Sequence, residues 1–166
     1  SATISDLNLD ATPLVYYDGN ELTLTGALRG NGRIVCRGNI KLGNVSFWSQ
    51  RELVFQNEGG QQIDLVAGGD IKINYISSQN EDDELAGRWL ANNQINFLAV
   101  EIFGFPLKQN FLKNFAGSLR TNKGGKIVIW NFTFRPPPPT ETEFDQHVVT
   151  ILDWQVTAGK GQTEGK

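Results

Sequence analysis

Hydrophobic and polar positions along this chain alternate with a period of two, and the alternation recurs as a unit of nine residues. Ile34-Val-Cys-Arg-Gly-Asn-Ile-Lys-Leu42 aligns without gaps on Leu65-Val-Ala-Gly-Gly-Asp-Ile-Lys-Ile73 and on Trp89-Leu-Ala-Asn-Asn-Gln-Ile-Asn-Phe97. Alternate positions read Ile/Leu/Trp, Cys/Ala/Ala, Gly/Gly/Asn, Ile/Ile/Ile and Leu/Ile/Phe, while the intervening ones are mostly polar. One face of each unit is therefore apolar or small, which predicts a half-buried strand. The central Gly-Asn, Gly-Asp or Asn-Gln pair tolerates positive φ and marks a corner. This pattern places Cys36 and Trp89 among the inward, packing residues.

Two looser copies extend the series. Val15 to Leu24 fits with one extra residue, and Leu119 to Ile129 with two. Similar units recurring every few tens of residues predict an all-β chain built as a solenoid or parallel β-helix of about five coils. Uneven spacing implies that some coils carry loops. The alternative is a β-sandwich with similar strands. Helical signals are confined to residues 81–92 and to Pro106–Phe115, each suited to a short turn.

The unit around Gly38-Asn-Ile-Lys-Leu-Gly-Asn-Val45, with Leu65 to Ile73 and Leu90-Ala-Asn-Asn-Gln-Ile95, resembles the coils of bacterial surface proteins associated with type IV pili. These include the extracellular parts of the PilX-like minor components. More distantly it resembles the bactofilins. The resemblance spans about residues 15–129. It implies a right-handed β-helical module at the cell surface or outside the cell. The implied role is scaffolding, assembly or adhesion, with no catalytic centre and other surface or pilus proteins as partners. The chain lacks the apolar N-terminal helix of pilins, and its coils are less regular than those of a bactofilin.

The organisation expected from sequence is a β-domain over residues 1–135, a proline spacer at 136–139, a C-terminal strand within 140–157 and a polar tail over 158–166. Prolines cannot donate to a sheet, so Pro136–Pro139 reads as an extended polyproline segment. At 166 residues the chain is long enough to bury one core. It begins at Ser1 and contains no Met, which suggests a piece of a longer protein. No apolar run is long enough for a membrane-spanning helix, and no segment reads as a signal peptide.

Charge is segregated. Residues 1–28 carry four acids and no base, and residues 29–51 five bases and no acid. Residues 52–84 hold eight acids against Lys72, and residues 102–140 six bases with no acid. Pairing between adjacent segments accounts for such blocks. The sharper alternative is a binding face for DNA or an acidic polysaccharide. Its candidate residues are Arg29, Arg33, Arg37, Lys41, Trp48 and Arg51 in one block, and Lys108, Lys113, Arg120, Lys123, Lys126 and Trp130 in the other. Trp rings would stack on sugars or bases while the cations hold an anion. A sequence pI near 5.2 argues against nucleic acid. Self-polymerisation is a further alternative.

Catalytic signals are sparse. His147 is the sole histidine and has no partner at triad or zinc spacing. Cys36 reads as packing. Glu81-Asp-Asp-Glu84 lacks the alternation of a calcium loop and reads as a solvated run. Gly30-Asn-Gly32 and Gly124-Gly-Lys126 lack the phosphate-loop pattern and read as turns. No cofactor, metal or catalytic residue is expected.

Overall fold

The structure, a computed structural model, describes residues 1–46, 49–56, 61–78, 84–97, 101–102, 105–106, 114–122, 124–135 and 148–156. Its strands are β1 (Ala2–Asn8), β2 (Leu14–Tyr17), β3 (Glu21–Arg29), β4 (Gly32–Cys36), β5 (Asn39–Leu42) and β6 (Asn44–Ser46). There follow β7 (Ser49–Arg51), β8 (Leu53–Phe55), β9 (Ile63–Ala67), β10 (Ile71–Ile73), β11 (Ile76–Ser78) and β12 (Glu84–Ala91). The remainder are β13 (Gln94–Phe97), β14 (Glu101–Ile102), β15 (Phe105–Pro106), β16 (Asn114–Thr121), β17 (Lys126–Arg135) and β18 (Val148–Val156). The chain is all-β, and its main sheet pairs strands in parallel.

Parallel partners lie far apart in sequence, and they stack in columns. In the first ladder Ala2, Leu22, Ile40, Ile71, Ile95, Ile127 and Val149 are successive register partners on β1, β3, β5, β10, β13, β17 and β18. In the second ladder the column is Val15, Ile34, Leu65, Trp89 and Leu119 on β2, β4, β9, β12 and β16. In the third, Leu7, Leu28, Phe55 and Ser78 are partners on β1, β3, β8 and β11. The chain visits the ladders in a repeated order: β5, β8 and β9, then β10, β11 and β12. Leu85, Phe115, Phe134 and Val156 form a further row across β12, β16, β17 and β18.

The register is the one that the repeat predicts. Leu65 faces Ile34 and Trp89 faces Leu65, while Ile71 faces Ile40 and Ile95 faces Ile71. The single extra residue of the first loose copy falls between its two columns, since Val15 faces Ile34 and Leu22 faces Ile40. The first ladder outruns the five-unit repeat because β1 and β18 add strands at its two ends.

The inward positions make the core. Leu22, Leu24, Ile34, Cys36, Ile40, Leu42, Leu65, Ile71, Trp89 and Ile95 are all buried in one cluster. Each large aliphatic side chain removed from water contributes about 1.5–3 kcal/mol. The Trp89 indole N–H donates to the Ile63 carbonyl at 3.1 Å, and its ring meets Phe115 edge-on at 5.2 Å between centroids. A polar atom in the core is thereby satisfied without interrupting the apolar column.

Three expectations need correction or refinement. The segment read as a helical turn in residues 81–92 is strand over Glu84–Ala91, with Leu85, Gly87, Trp89 and Ala91 buried and Ala86, Arg88 and Leu90 facing outward. Alternation with burial on both sides of Gly87 outweighs the local helix preference. Within Pro106–Phe115, Pro106 closes the antiparallel pair β14–β15 and Asn114–Phe115 begin β16; residues 107–113 lie outside the described residues. The corner glycines Gly38 and Gly69 do not adopt positive φ. A Cβ at Gly38 would overlap the Asn20 carbonyl oxygen, and one at Gly69 the side-chain oxygen of Asn39. Close approach of adjacent turns selects glycine there.

Uneven spacing is explained by excursions. The antiparallel pair β6–β7 leaves the stack between β5 and β8, and β14–β15 lies between β13 and β16. β18 pairs in parallel with β17. Pro136–Pro139 and residues 158–166 lie outside the described residues.

Candidate functional site

The outer face of the second ladder carries most of the described charge chemistry. One residue before each inward anchor, Arg33 faces Asp64 in register, and Arg88 follows on β12. Asp64 sits between the two guanidinium groups. Its Oδ2 accepts from Arg88 Nη2 at 2.9 Å and from Arg33 Nη2 at 3.2 Å. Its Oδ1 accepts the Arg88 backbone N–H at 2.9 Å. The Asp64 side chain is 11% exposed. Burial pushes its pKa up, but the Arg88 side-chain and backbone hydrogen bonds and the Arg33 bond outweigh this and hold it below the usual 3.8.

Beyond this row lies an apolar one. Tyr16, Val35, Val66, Leu90 and Arg120 are consecutive partners on the same outward face. Leu14 and Tyr16, at the end of the stack, are 60% and 64% exposed. A groove of about 530 Å³ opens beside Leu14, lined also by Pro13, Asn31, Gly32, Arg33, Gln62 and Asp64. The Asn31 amide in its lining is engaged in local scaffolding, its Oδ1 accepting the Gln62 N–H at 2.8 Å; next to the groove in sequence, Gln61 Oε1 accepts the Gly30 N–H at 3.2 Å.

The corner between the second and first ladders is zipped by main-chain bonds from turn to turn. Gly38 N–H donates to Gly19 O, Gly69 N–H to Gly38 O, and Asn93 N–H to Gly69 O, at 2.9–3.1 Å. Asn39 Oδ1 accepts the Asp70 N–H at 2.8 Å, and the side chains of Asn92 and Asn122 bond to each other. The Gly-Asn signature is therefore structural.

The described candidate cations are divided between the ladders. Arg33 is tied to Asp64, and Arg37 to Asp18 at 3.3 Å. Arg37–Asp18 is a solvent-exposed pair, worth about 0–1 kcal/mol. Lys41 lies on the first ladder in a row with Thr23 and Lys72, and Lys72 pairs with Asp70 at 3.2 Å. Arg29 and Arg51 are exposed at the ends of β3 and β7, and Lys126 is exposed at the start of β17. Arg120 stands on β16 at the far end of the apolar row, and Trp130 falls within β17. Trp48, Lys108, Lys113 and Lys123 lie outside the described residues. So does His147, and so do Glu81, Asp82 and Asp83; Glu84 opens β12.

The charged row Arg33–Asp64–Arg88 was missed in reading the sequence, although a signal for it exists. Extending each repeat copy by one residue towards the N-terminus places these three side chains at one position of the alignment. Among the described residues no group of three His, Cys, Asp or Glu side chains is placed to hold a metal ion. Comparison of the chain with protein families, curated proteins and solved structures finds no match.

Proposed function

We propose that this chain is a right-handed β-solenoid acting as a non-enzymatic structural or adhesive module through protein–protein or protein–surface contacts. The observation that supports this reading is the first ladder, in which Leu22, Ile40, Ile71, Ile95 and Ile127 continue one apolar column from turn to turn. Such a stack builds a stiff body with long outer faces. Asp64 is tied to Arg33 and Arg88 along one row, an arrangement suited to stability rather than acid–base work. The resemblance to pilus-associated coils supplies the setting of the proposal, which is the cell surface, as part of a longer protein.

The polyanion reading draws less support, because Arg33 and Arg37 are held by acids and Lys41 lies on another ladder. Light-scattering mass with negative-stain imaging over a concentration series tests the proposal, together with heparin and single-stranded DNA binding over a salt series. The expected outcome is a constant monomer mass with no salt-sensitive binding. Filaments would replace the proposal with a self-polymerising scaffold. Salt-sensitive binding lost in Arg37→Glu/Lys41→Glu would replace it with a polyanion binder.

A further inference from the structure

The two strands at the N-terminal end of the stack treat their outer edges differently. β1 is interrupted: the register slips between Ser5 and Leu7, and Asp6 takes φ of 59°. Asp6 Oδ1 accepts the Ala27 N–H at 2.9 Å. A bulge carrying an acid is a standard device against further strand pairing. β2 has no such device.

On β2 the direction of the free groups follows from its one partner. Arg33 N–H donates to the Pro13 carbonyl at 2.8 Å, and Arg37 N–H to the Tyr17 carbonyl at 3.0 Å. Backbone groups alternate sides along a strand. The N–H and C=O of Leu14 and Tyr16 therefore face away from β4, on an edge that no described strand covers. The same two residues carry the exposed large apolar side chains, at 60% and 64%. Four main-chain hydrogen-bonding groups and two apolar side chains thus face one outer strip. Beneath them, Val15 and Tyr17 are only partly buried against the core.

Charge selects the occupant. Residues 1–28 contain Asp6, Asp10, Asp18 and Glu21 with no Lys or Arg. Arg33 on β4 and Arg37 just after it are engaged by Asp64 and Asp18, which leaves Asp6, Asp10 and Glu21 as the acidic surplus of residues 1–28. An incoming strand therefore meets a net negative end.

We propose that the Leu14–Tyr17 edge is a docking site for an extended, basic segment of another polypeptide, which adds as a strand beside β2. Main-chain bonds to Leu14 and Tyr16 supply affinity, contacts with their side chains favour β-branched or aromatic residues, and Lys or Arg flanking those residues meet the acidic end. This inference rests on the reading of the chain as a module that works through protein contacts, and it names the site and the partner class.

The test uses the whole chain and two capped peptides, KVTVK and EVTVE, with binding followed by fluorescence anisotropy at low and physiological salt. KVTVK is expected to bind about tenfold or more tightly than EVTVE, with the difference shrinking as salt rises. Tyr16→Pro removes an N–H that faces away from β4 and is expected to abolish binding. Leu14→Lys leaves the backbone intact and opposes a basic strand by charge, so it is expected to weaken KVTVK by a similar factor. Far-UV circular dichroism and the inaccessibility of Cys36 check that each variant folds. Equal binding of both peptides, or unchanged binding in Leu14→Lys, would overturn the proposal. A dimer dispersed by Tyr16→Pro would overturn it in favour of a second copy as occupant. Absence of peptide binding alongside a constant monomer mass and no heparin binding overturns the edge alone. Salt-sensitive heparin binding without peptide binding overturns the module reading as well.

Discussion

Gly117 lies beside Gly87 in the ladder between β12 and β16, so close that a Cβ on Gly117 would overlap the Gly87 carbonyl oxygen. Gly87 in turn stands against the Ile63 carbonyl. Three successive strands therefore touch backbone to backbone at one level of the stack. Gly117→Ala would force these strands apart and is expected to lower stability by about 1–3 kcal/mol. Gly124 is the control: nothing lies near its missing Cβ, yet φ is +84°. Gly124→Ala should cost about 1 kcal/mol through conformation alone, and Gly124→Asn should cost less. Gly117 is itself at φ 140°, so the overlap is read from urea unfolding midpoints as the excess of Gly117→Ala over Gly124→Ala.

Among the described residues Trp89 is the largest fully buried side chain, at 1% exposed. Trp89→Ala is expected to cost about 3–5 kcal/mol. Trp89→Phe keeps most of the apolar bulk but leaves the Ile63 carbonyl without its indole donor, at a cost of about 1–3 kcal/mol. Chemical denaturation of the two variants against the parent measures the difference.

Asp64 predicts a pH dependence of definite sign. Its folded pKa lies below the ordinary 3.8, so the stability it contributes is fully present above the unfolded value. That contribution is lost as pH falls through the folded value. Asp64→Asn should therefore destabilise at neutral pH by about 1–3 kcal/mol. The gap between variant and parent should close below about pH 4. Thermal unfolding over a pH series checks this, and a constant gap down to acid pH would refute it.

Cys36 is 1% exposed, with its thiol directed at the Gly19 carbonyl, 3.6 Å away. The folded chain is expected not to react with an aromatic disulfide reagent over the time in which a free thiol peptide reacts fully. In denaturant, one thiol per chain should react.

Register was legible from sequence because side chains on a strand alternate strictly. Ile34, Leu65 and Trp89 share a column whatever happens between the copies. The strand Glu84–Ala91 was not legible in the same way, since the acidic run that leads into it and its Leu-Ala pair also suit a helix, and only the neighbouring strands decide. The role of Asp64 escaped for a related reason. A carboxylate on an outward position looks solvated until Arg33 and Arg88 are known to flank it. The partners of the corner glycines were hidden too: Gly38 is small because Asn20 passes close by, a contact set by stacking and not by the local sequence.

The step from Leu22 to Ile40 spans 18 residues and that from Ile40 to Ile71 spans 31, yet both put the next residue in the same column. The longer step includes the β6–β7 excursion. Connections between ladders are thus insulated from the stack they join. Residues added at such an excursion project sideways and leave every column in place, so the fold can gain new surface loops without renegotiating its core. The Asn44–Arg51 hairpin is accordingly the natural point for grafting an epitope or a foreign binding loop.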